Sequence, residues 1–304
     1  MNFANFRKRI KPWLLPIAMI GGVLFHETLA KVSFLTPYLI FSMLIITFCK
    51  VNPKEFRISR LSWSLLAVQI GGALISYFLL SPFNLIVAQG IMICFLCPTA
   101  SAAPVVTGML GGSVARVTSF SVMSNIAVAF LAPIIFVQVT TTQSDITLYS
   151  TIGASIEILK KITPLLLLPM LIAFVLRRIS PQTGHTIATH QGISFYLWAI
   201  ALFIVVGKAI NFIMNEPRNE IPTMIYIALG AAVACCLQFW AGRKIGYLCG
   251  DKIAGAQGLG QKNTILAIWL ALTWLHPLAS VGPAAYIAWQ NIINSAQLYR
   301  ATKH

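Results

Sequence analysis

Gly255-Ala256-Gln257-Gly258-Leu259-Gly260-Gln261-Lys262-Asn263-Thr264 sits inside a long apolar run, near residues 254–276, and would not hold a regular helix well. Each glycine in a helix interior weakens it by about 1 kcal/mol relative to alanine. A second stretch, Cys97-Pro98-Thr99-Ala100-Ser101-Ala102-Ala103-Pro104, breaks another apolar run with two prolines and small residues between them. Each proline removes a helix hydrogen bond and clashes with the preceding turn. The surrounding runs are continuous rather than alternating, as in Ile221–Trp240. Continuous runs fit helices that cross a hydrocarbon core in about 20 residues. A membrane β-barrel would instead alternate polar and apolar residues in segments of about 10.

Outward from these two breaks, hydropathy places spans near residues 12–29, 33–49, 61–80, 84–110, 114–139, 162–178, 192–213, 222–241, 254–276 and 278–299. Ser81-Pro82 divides the third from the fourth, and His276-Pro277 the ninth from the tenth. The chain of 304 residues is 58% hydrophobic and only 10% charged. A soluble domain carries about 25% charged residues, so the expected class is an all-α polytopic membrane protein with ten transmembrane helices. The basic N-terminus leads into the first span, and no cleavage site marks a secretory leader. Residues 140–161 are more polar and carry a helical apolar pattern (Ile152, Ile156, Leu159), which predicts a connector partly lying on the membrane surface.

The net charge of +15 reads as cytoplasmic-loop lysine and arginine rather than a nucleic-acid surface. With the N-terminus inside, sixteen basic residues fall on the cytoplasmic side: Arg7, Lys8, Arg9, Lys11, Lys50, Lys54, Arg57, Arg60, Arg116, Arg177, Arg178, Arg243, Lys244, Lys252, Arg300 and Lys303. Five fall outside (Lys31, Lys160, Lys161, Lys208, Arg218), and Lys262 lies within a span. Both termini are therefore expected in the cytoplasm of a cell whose inner (plasma) membrane holds the chain. The six cysteines lie in or beside apolar runs. The Cys94/Cys97 pair lacks a second pair at metal-ligand spacing, so buried thiols are expected. The five histidines (26, 185, 190, 276, 304) are scattered near loops and suggest no metal cluster.

The two interruptions occupy the fourth span of the first five and the fourth span of the second five. Interrupted helices at matching positions of two halves are the best sequence pointer to a transporter's binding site. Unwound backbone at membrane depth is tolerated only against protein or a water-filled cavity. The competing reading is two kinked structural helices.

At these residues the chain resembles the bile acid:sodium symporter family. That family's broken fourth span carries a Pro-Gly-Gly-Thr-Ala-Ser-Asn-like stretch, and here Pro98-Thr99-Ala100-Ser101-Ala102-Ala103-Pro104 stands there, followed by Val105-Val106-Thr107. Its broken ninth span carries a Glu-Val-Gly-Met-Gln-Asn-like stretch, here Gly258-Leu259-Gly260-Gln261-Lys262-Asn263. Its last span carries Trp-His-Asn, here Trp289-Gln290-Asn291. The resemblance implies two inverted five-helix repeats, 1–139 and 162–304, joined by the connector 140–161. It also implies panel and core domains, broken helices 4 and 9 crossing in the core, and alternating access. The implied partners are a small organic anion and the lipid bilayer, with no nucleic acid; no oligomeric state is implied.

The family's sodium ligands are mostly missing. Its acidic ligand falls on Gly258, a glutamine on Lys262, a serine and an asparagine on Ala103 and Pro104, and a fifth-span serine on Val117. Ser121 matches a threonine ligand chemically, and Gln69 keeps the third-span glutamine. Ordinary two-sodium coupling is therefore not expected, nor is any other cofactor or metal. All seven carboxylates (Glu27, Glu55, Asp145, Glu157, Glu216, Glu220, Asp251) sit in loops or near span ends, and the one intramembrane charge is Lys262. A buried ionisable group within a membrane is a functional hypothesis by default.

Lys262 has four readings: its ammonium takes the place of sodium and donates to Gln69 and to unwound carbonyls; it carries a proton; it pairs with an anionic substrate; or it snorkels or locks the fold. The coupling-site candidates are Lys262, Gln69, Ser121 and Gln261. The substrate-contact candidates are Ser101, Asn263, Thr264, Gln290 and Asn291, any of which could instead serve interhelical hydrogen bonding. A membrane enzyme would need a nucleophile with its base, or a motif such as His-Glu-x-x-His, and the sequence offers neither. A sodium- or proton-coupled symporter of the same family, and a channel or sensor, remain as alternatives to an organic-anion transporter without ordinary two-sodium coupling.

Overall fold

The computed structural model describes residues 14–49, 57–140, 148–189 and 191–302. Arg7, Lys8, Arg9, Lys11, Lys50, Lys54, Lys303, Glu55, Asp145, His190, His304, the first residues of the first expected span and connector residues 141–147 lie outside the described residues.

Every named element among the described residues is a helix. In chain order they are α1 (Leu14–Leu24), α2 (His26–Lys31), α3 (Thr36–Phe48), α4 (Arg60–Leu80), α5 (Leu85–Leu96), α6 (Ala103–Met109), α7 (Val114–Thr140) and α8 (Leu148–Ile179). Then follow α9 (Pro181–Thr189), α10 (Gln191–Asn215), α11 (Ile221–Leu248), α12 (Lys252–Gly260), α13 (Thr264–Trp274) and α14 (Val281–Thr302). Five helical segments are long and apolar enough to cross a membrane: Arg60–Leu80, Val114–Thr140, Ile152–Ile179, Tyr196–Asn215 and Arg218–Leu248.

The starts and stops follow from local chemistry. Ser59 caps α4, Asn84 caps α5, Asp251 caps α12 and Asn263 caps α13, each side-chain oxygen accepting a first-turn backbone N–H. Cys97, which precedes Pro98, is extended at φ −57° and ψ 143° and ends α5, as the proline ring demands of its neighbour. Pro104 lies in the first turn of α6, where its missing N–H costs nothing. α11 ends in a Schellman turn: Asp251 N–H bonds Gly246 O at 2.7 Å and Gly250 N–H bonds Tyr247 O at 3.2 Å. Gly250 sits at φ 79°, a conformation that a side chain would strain.

Two expectations change. The helical part of the connector is not a separate element: residues 148–161 are the first turns of α8, continuous to Ile179. The apolar spacing at Ile152 and Ile156 runs on into the span with no breaker between. The helix α9 between Arg178 and residue 190 was not expected, because its composition is too polar for a hydropathy signal.

Large apolar side chains face outward (Ile75, Phe78, Leu229, Val233, Leu237), whereas the carboxamides of Gln69, Gln238 and Gln257 are wholly buried. Helices α1–α3 and α8–α10 pack among themselves, as do α4–α7 and α11–α14; the two groups join where α7 meets α8 and where α13 meets α3 and α10. In the second group α11 and α12 touch backbone to backbone. A Cβ on Gly255 would collide with Gly242 O and lie 2.7 Å from Gly246 Cα. α5 and α14 approach as closely, through Gly90 O and Gly282.

Candidate functional site

The two interruptions meet. Thr99 and Lys262 form an isolated antiparallel bridge. Ala100 N–H donates to Gln261 O at 2.9 Å, and Asn263 N–H donates to Pro98 O at 2.8 Å. Each break thus satisfies polar backbone groups that the other exposes, which buried backbone requires.

The carbonyls at the end of α5 are served by side chains from three other helical segments. Gln238 Nε2, on α11, donates to Cys94 O at 3.1 Å. Lys262 Nζ, between α12 and α13, donates to Phe95 O at 2.9 Å. Gln69 Nε2, on α4, donates to Leu96 O at 2.7 Å and to Cys97 O at 3.2 Å. The end of α12 is treated in the same way: Thr99 Oγ1 donates to Gly258 O at 2.7 Å and Tyr286 Oη to Gly260 O at 2.8 Å. A helix C-terminus carries roughly half a negative charge, and the Lys262 ammonium sits at that of α5. The lysine is 1% exposed, and no carboxylate among the described residues pairs with it. Its ammonium donates to the helix-end carbonyl of Phe95.

The sequence candidates fall into place unequally. Lys262 does not donate to Gln69; the Gln69 Oε1 acceptor is taken by Ser124 Oγ at 2.8 Å. Ser124 lies three residues beyond Ser121 and turns to α4, whereas Ser121 uses its carbonyl to receive Asn125 Nδ2 at 2.8 Å. Gln261 Nε2 donates to Gln257 Oε1 at 2.6 Å, and Gln290 Oε1 accepts Lys262 N–H at 3.1 Å. Asn263 gives its side-chain oxygen to the cap of α13, accepting Leu266 N–H at 3.3 Å, and keeps its NH2 group. Thr264 is buried at the start of α13, while Ser101 and Asn291 are half-buried and make no side-chain hydrogen bond among the described residues.

Thr99, Ser124, Gln238, Gln257 and Tyr286 belong to the same network and were not singled out from the sequence. Gln238 carried a usable signal, an amide near the end of the apolar run Ile221–Trp240. Such a group must find a partner when buried. Tyr286 and Ser124 carried none, since either could equally have faced lipid or packing. Among the described residues no group of three His, Cys, Asp or Glu could hold a metal.

No family model matches this chain, and no curated protein matches it.

Proposed function

We propose that this chain is a secondary transporter that carries a small organic anion across a cell's inner (plasma) membrane by alternating access. In this proposal Lys262 holds the place that sodium takes in the bile acid:sodium symporter family. The observation that carries it is the buried ammonium at the junction of two interrupted helices, 2.9 Å from Phe95 O. Interrupted helices that unwind against each other at membrane depth form binding sites because their freed dipoles can grip a solute.

Three further features support the same fold and mechanism. The order long helix, broken helix, long helix recurs as α4, α5–α6, α7 and as α11, α12–α13, α14. That order fits ten spans arranged as two inverted repeats of five. The two packing groups correspond to a panel (α1–α3 with α8–α10) and a core (α4–α7 with α11–α14) that could rock against each other. The positive-inside count favours both termini in the cytoplasm. Transport by this route needs no covalent step, no metal and no cofactor. The α5 carbonyls of residues 94–97 already accept side-chain donors, so a sodium ion would have to displace them.

The test is thermal unfolding of the purified protein in sodium chloride against choline chloride at matched ionic strength, alongside organic-anion counterflow in proteoliposomes. The unfolding midpoint is expected to ignore sodium, and counterflow is expected to be saturable without a sodium gradient. A ligand bound only to the folded state raises stability by mass action. Clear stabilisation by sodium would make the protein an ordinary symporter, and no exchange of any organic anion would remove transport as its function.

A further inference from the structure

We infer that one end of the α3, α8, α9 and α10 group binds an anionic two-chain phospholipid, with its phosphate at Arg177 and Arg178 and its acyl chains in two apolar grooves that end beside them. This site rests on the membrane reading and the orientation proposed above, and it stands whether or not the chain carries a solute.

The first groove has a volume of about 540 Å³ and lies between the last turns of α3 and the first turns of α10, with α9 against it. Ile45, Ile46, Ile187, Ile193 and Leu197 line it. The other two lining residues are Ser42 and Thr186, and each hydroxyl donates within its own helix, Ser42 Oγ to Tyr38 O and Thr186 Oγ1 to Gln182 O, both at 2.9 Å. The second groove, of about 330 Å³, runs along the last turns of α8 past Leu171, Val175 and Ile179. No charged residue lines either groove.

The basic pair marks where both grooves end. Arg177 Nη1 donates to Cys49 O at 3.0 Å, and Cys49 N–H bonds Ile45 O at 2.9 Å. The guanidinium therefore lies about one turn from the wall of the first groove. The backbone of α9 rests on the stem of the same side chain: a Cβ on Gly184 would fall 2.6 Å from Arg177 Cγ, about one turn before Ile187. Arg178 is exposed, and Ile179 of the second groove follows it in the chain. Among the described residues, α3, α9, α10 and residues 162–179 of α8 carry no carboxylate. The charge at this end is positive, and basic pockets at the cytoplasmic ends of membrane helices take anionic head groups.

Depth and polarity decide the occupant. Ser42 is seven residues from Cys49, about 10 Å along a helix, so the first groove spans about one third of a hydrocarbon core roughly 30 Å thick. That depth stays within one leaflet. A soluble anion would leave most of these walls in contact with water, whereas an acyl chain removes apolar surface from water on both sides of the contact. On α9, Gln182, Thr183 and Thr189 are exposed while Ile187 faces the groove, the arrangement of a helix lying in the interface. A lipid seated here ties α3, α8 and α10 together through α9.

The test uses the full-length protein, purified and delipidated in a neutral detergent, with dioleoyl phosphatidylglycerol as the probe. Dioleoyl phosphatidylcholine controls for the charge and glycerol phosphate for the chains. Phosphatidylglycerol is expected to raise the unfolding midpoint and to stay bound in native mass spectrometry, and the two controls are expected to do neither. Arg178→Gln changes an exposed position and should weaken the apparent affinity about fivefold, the contribution of one basic residue at an anionic surface, with the lipid-free midpoint near wild type. Ser42→Trp fills the first groove from an exposed wall position and should weaken it at least tenfold; Ile193→Trp serves if that variant does not fold. Equal binding of phosphatidylcholine would overturn the anionic head group. Equal stabilisation by glycerol phosphate would overturn the grooves. No stabilisation by phosphatidylglycerol, or unchanged affinity in the variants, would overturn the site. Organic-anion exchange is not read in any of these arms, so failure of the lipid site leaves the transporter reading intact.

Discussion

Lys262→Met separates the charge of this side chain from its bulk. Methionine fills nearly the same volume, so overpacking and cavity terms stay small. Three effects remain. Phe95 O loses the donor that now sits 2.9 Å away, and an orphaned buried acceptor costs about 1–3 kcal/mol. The C-terminal end of α5 loses its cation, worth about 0.3–2 kcal/mol. Against these, an ammonium that is 1% exposed no longer has to be desolvated, which returns several kcal/mol. The opposing effects nearly cancel, and the variant should unfold within about 2 kcal/mol of wild type. Lys262→Ala adds a cavity and should lose about 2–5 kcal/mol more. Function should not cancel in this way. The C-terminal end of α5, with roughly half a negative charge, would be left without its cation at the junction of the two breaks. Lys262→Met is therefore expected to fold and to lose at least tenfold in anion counterflow. In the alanine variant, which has room, methylammonium or sodium should raise the unfolding midpoint where choline does not. The assays are thermal unfolding and proteoliposome counterflow. A methionine variant that transports at the wild-type rate in choline would refute the charge-substitution argument.

Three other outcomes follow from the packing and the charges. Asp251→Ala removes an α12 cap and the bond to Ser113 N. It should cost about 2–5 kcal/mol from a cap worth about 0.5–2 and a charged hydrogen bond worth about 1.5–3, read as a lower unfolding midpoint. Gly255→Ala forces a methyl against Gly242 O, on backbone that has no side chain to yield. The loss should exceed the about 1–3 kcal/mol of ordinary overpacking, seen as poor recovery of folded protein, whereas Gly71→Ala, with nothing within 4 Å, should be neutral. Reporter fusions should place both ends of the chain on the cytoplasmic side, and a periplasmic signal from either end would overturn the positive-inside assignment.

The site was partly legible before the fold was known. Proline, glycine and polar clusters inside apolar runs announce a break by local rules alone, but not its bounds: Gly255–Gly260 stay helical in α12, and the breaks are confined to 97–102 and 261–263. Lys262 stood out because a charge inside a span has no bland place in a hydrocarbon. The pairing of Lys262 with Gln69 did not survive. A carboxamide buried on α4 has two donors and one acceptor to place, and only the packing shows that its oxygen goes to Ser124 and its nitrogen to the α5 carbonyls.

What the sequence determined by itself is what depends on neighbours along the chain: an all-α fold, helices of membrane-spanning length and two interruptions inside apolar runs. The tertiary structure decided what depends on groups far apart in sequence. It joined Thr99 to Lys262, directed Gln238 and Tyr286 to the broken ends, and turned the oxygen of Gln290 towards the Lys262 backbone. The physical reason is that a buried donor or acceptor must be satisfied, but its own segment does not say by whom. Apolar spans carry no address for their partners, and the matching of polar groups is settled only when the helices pack.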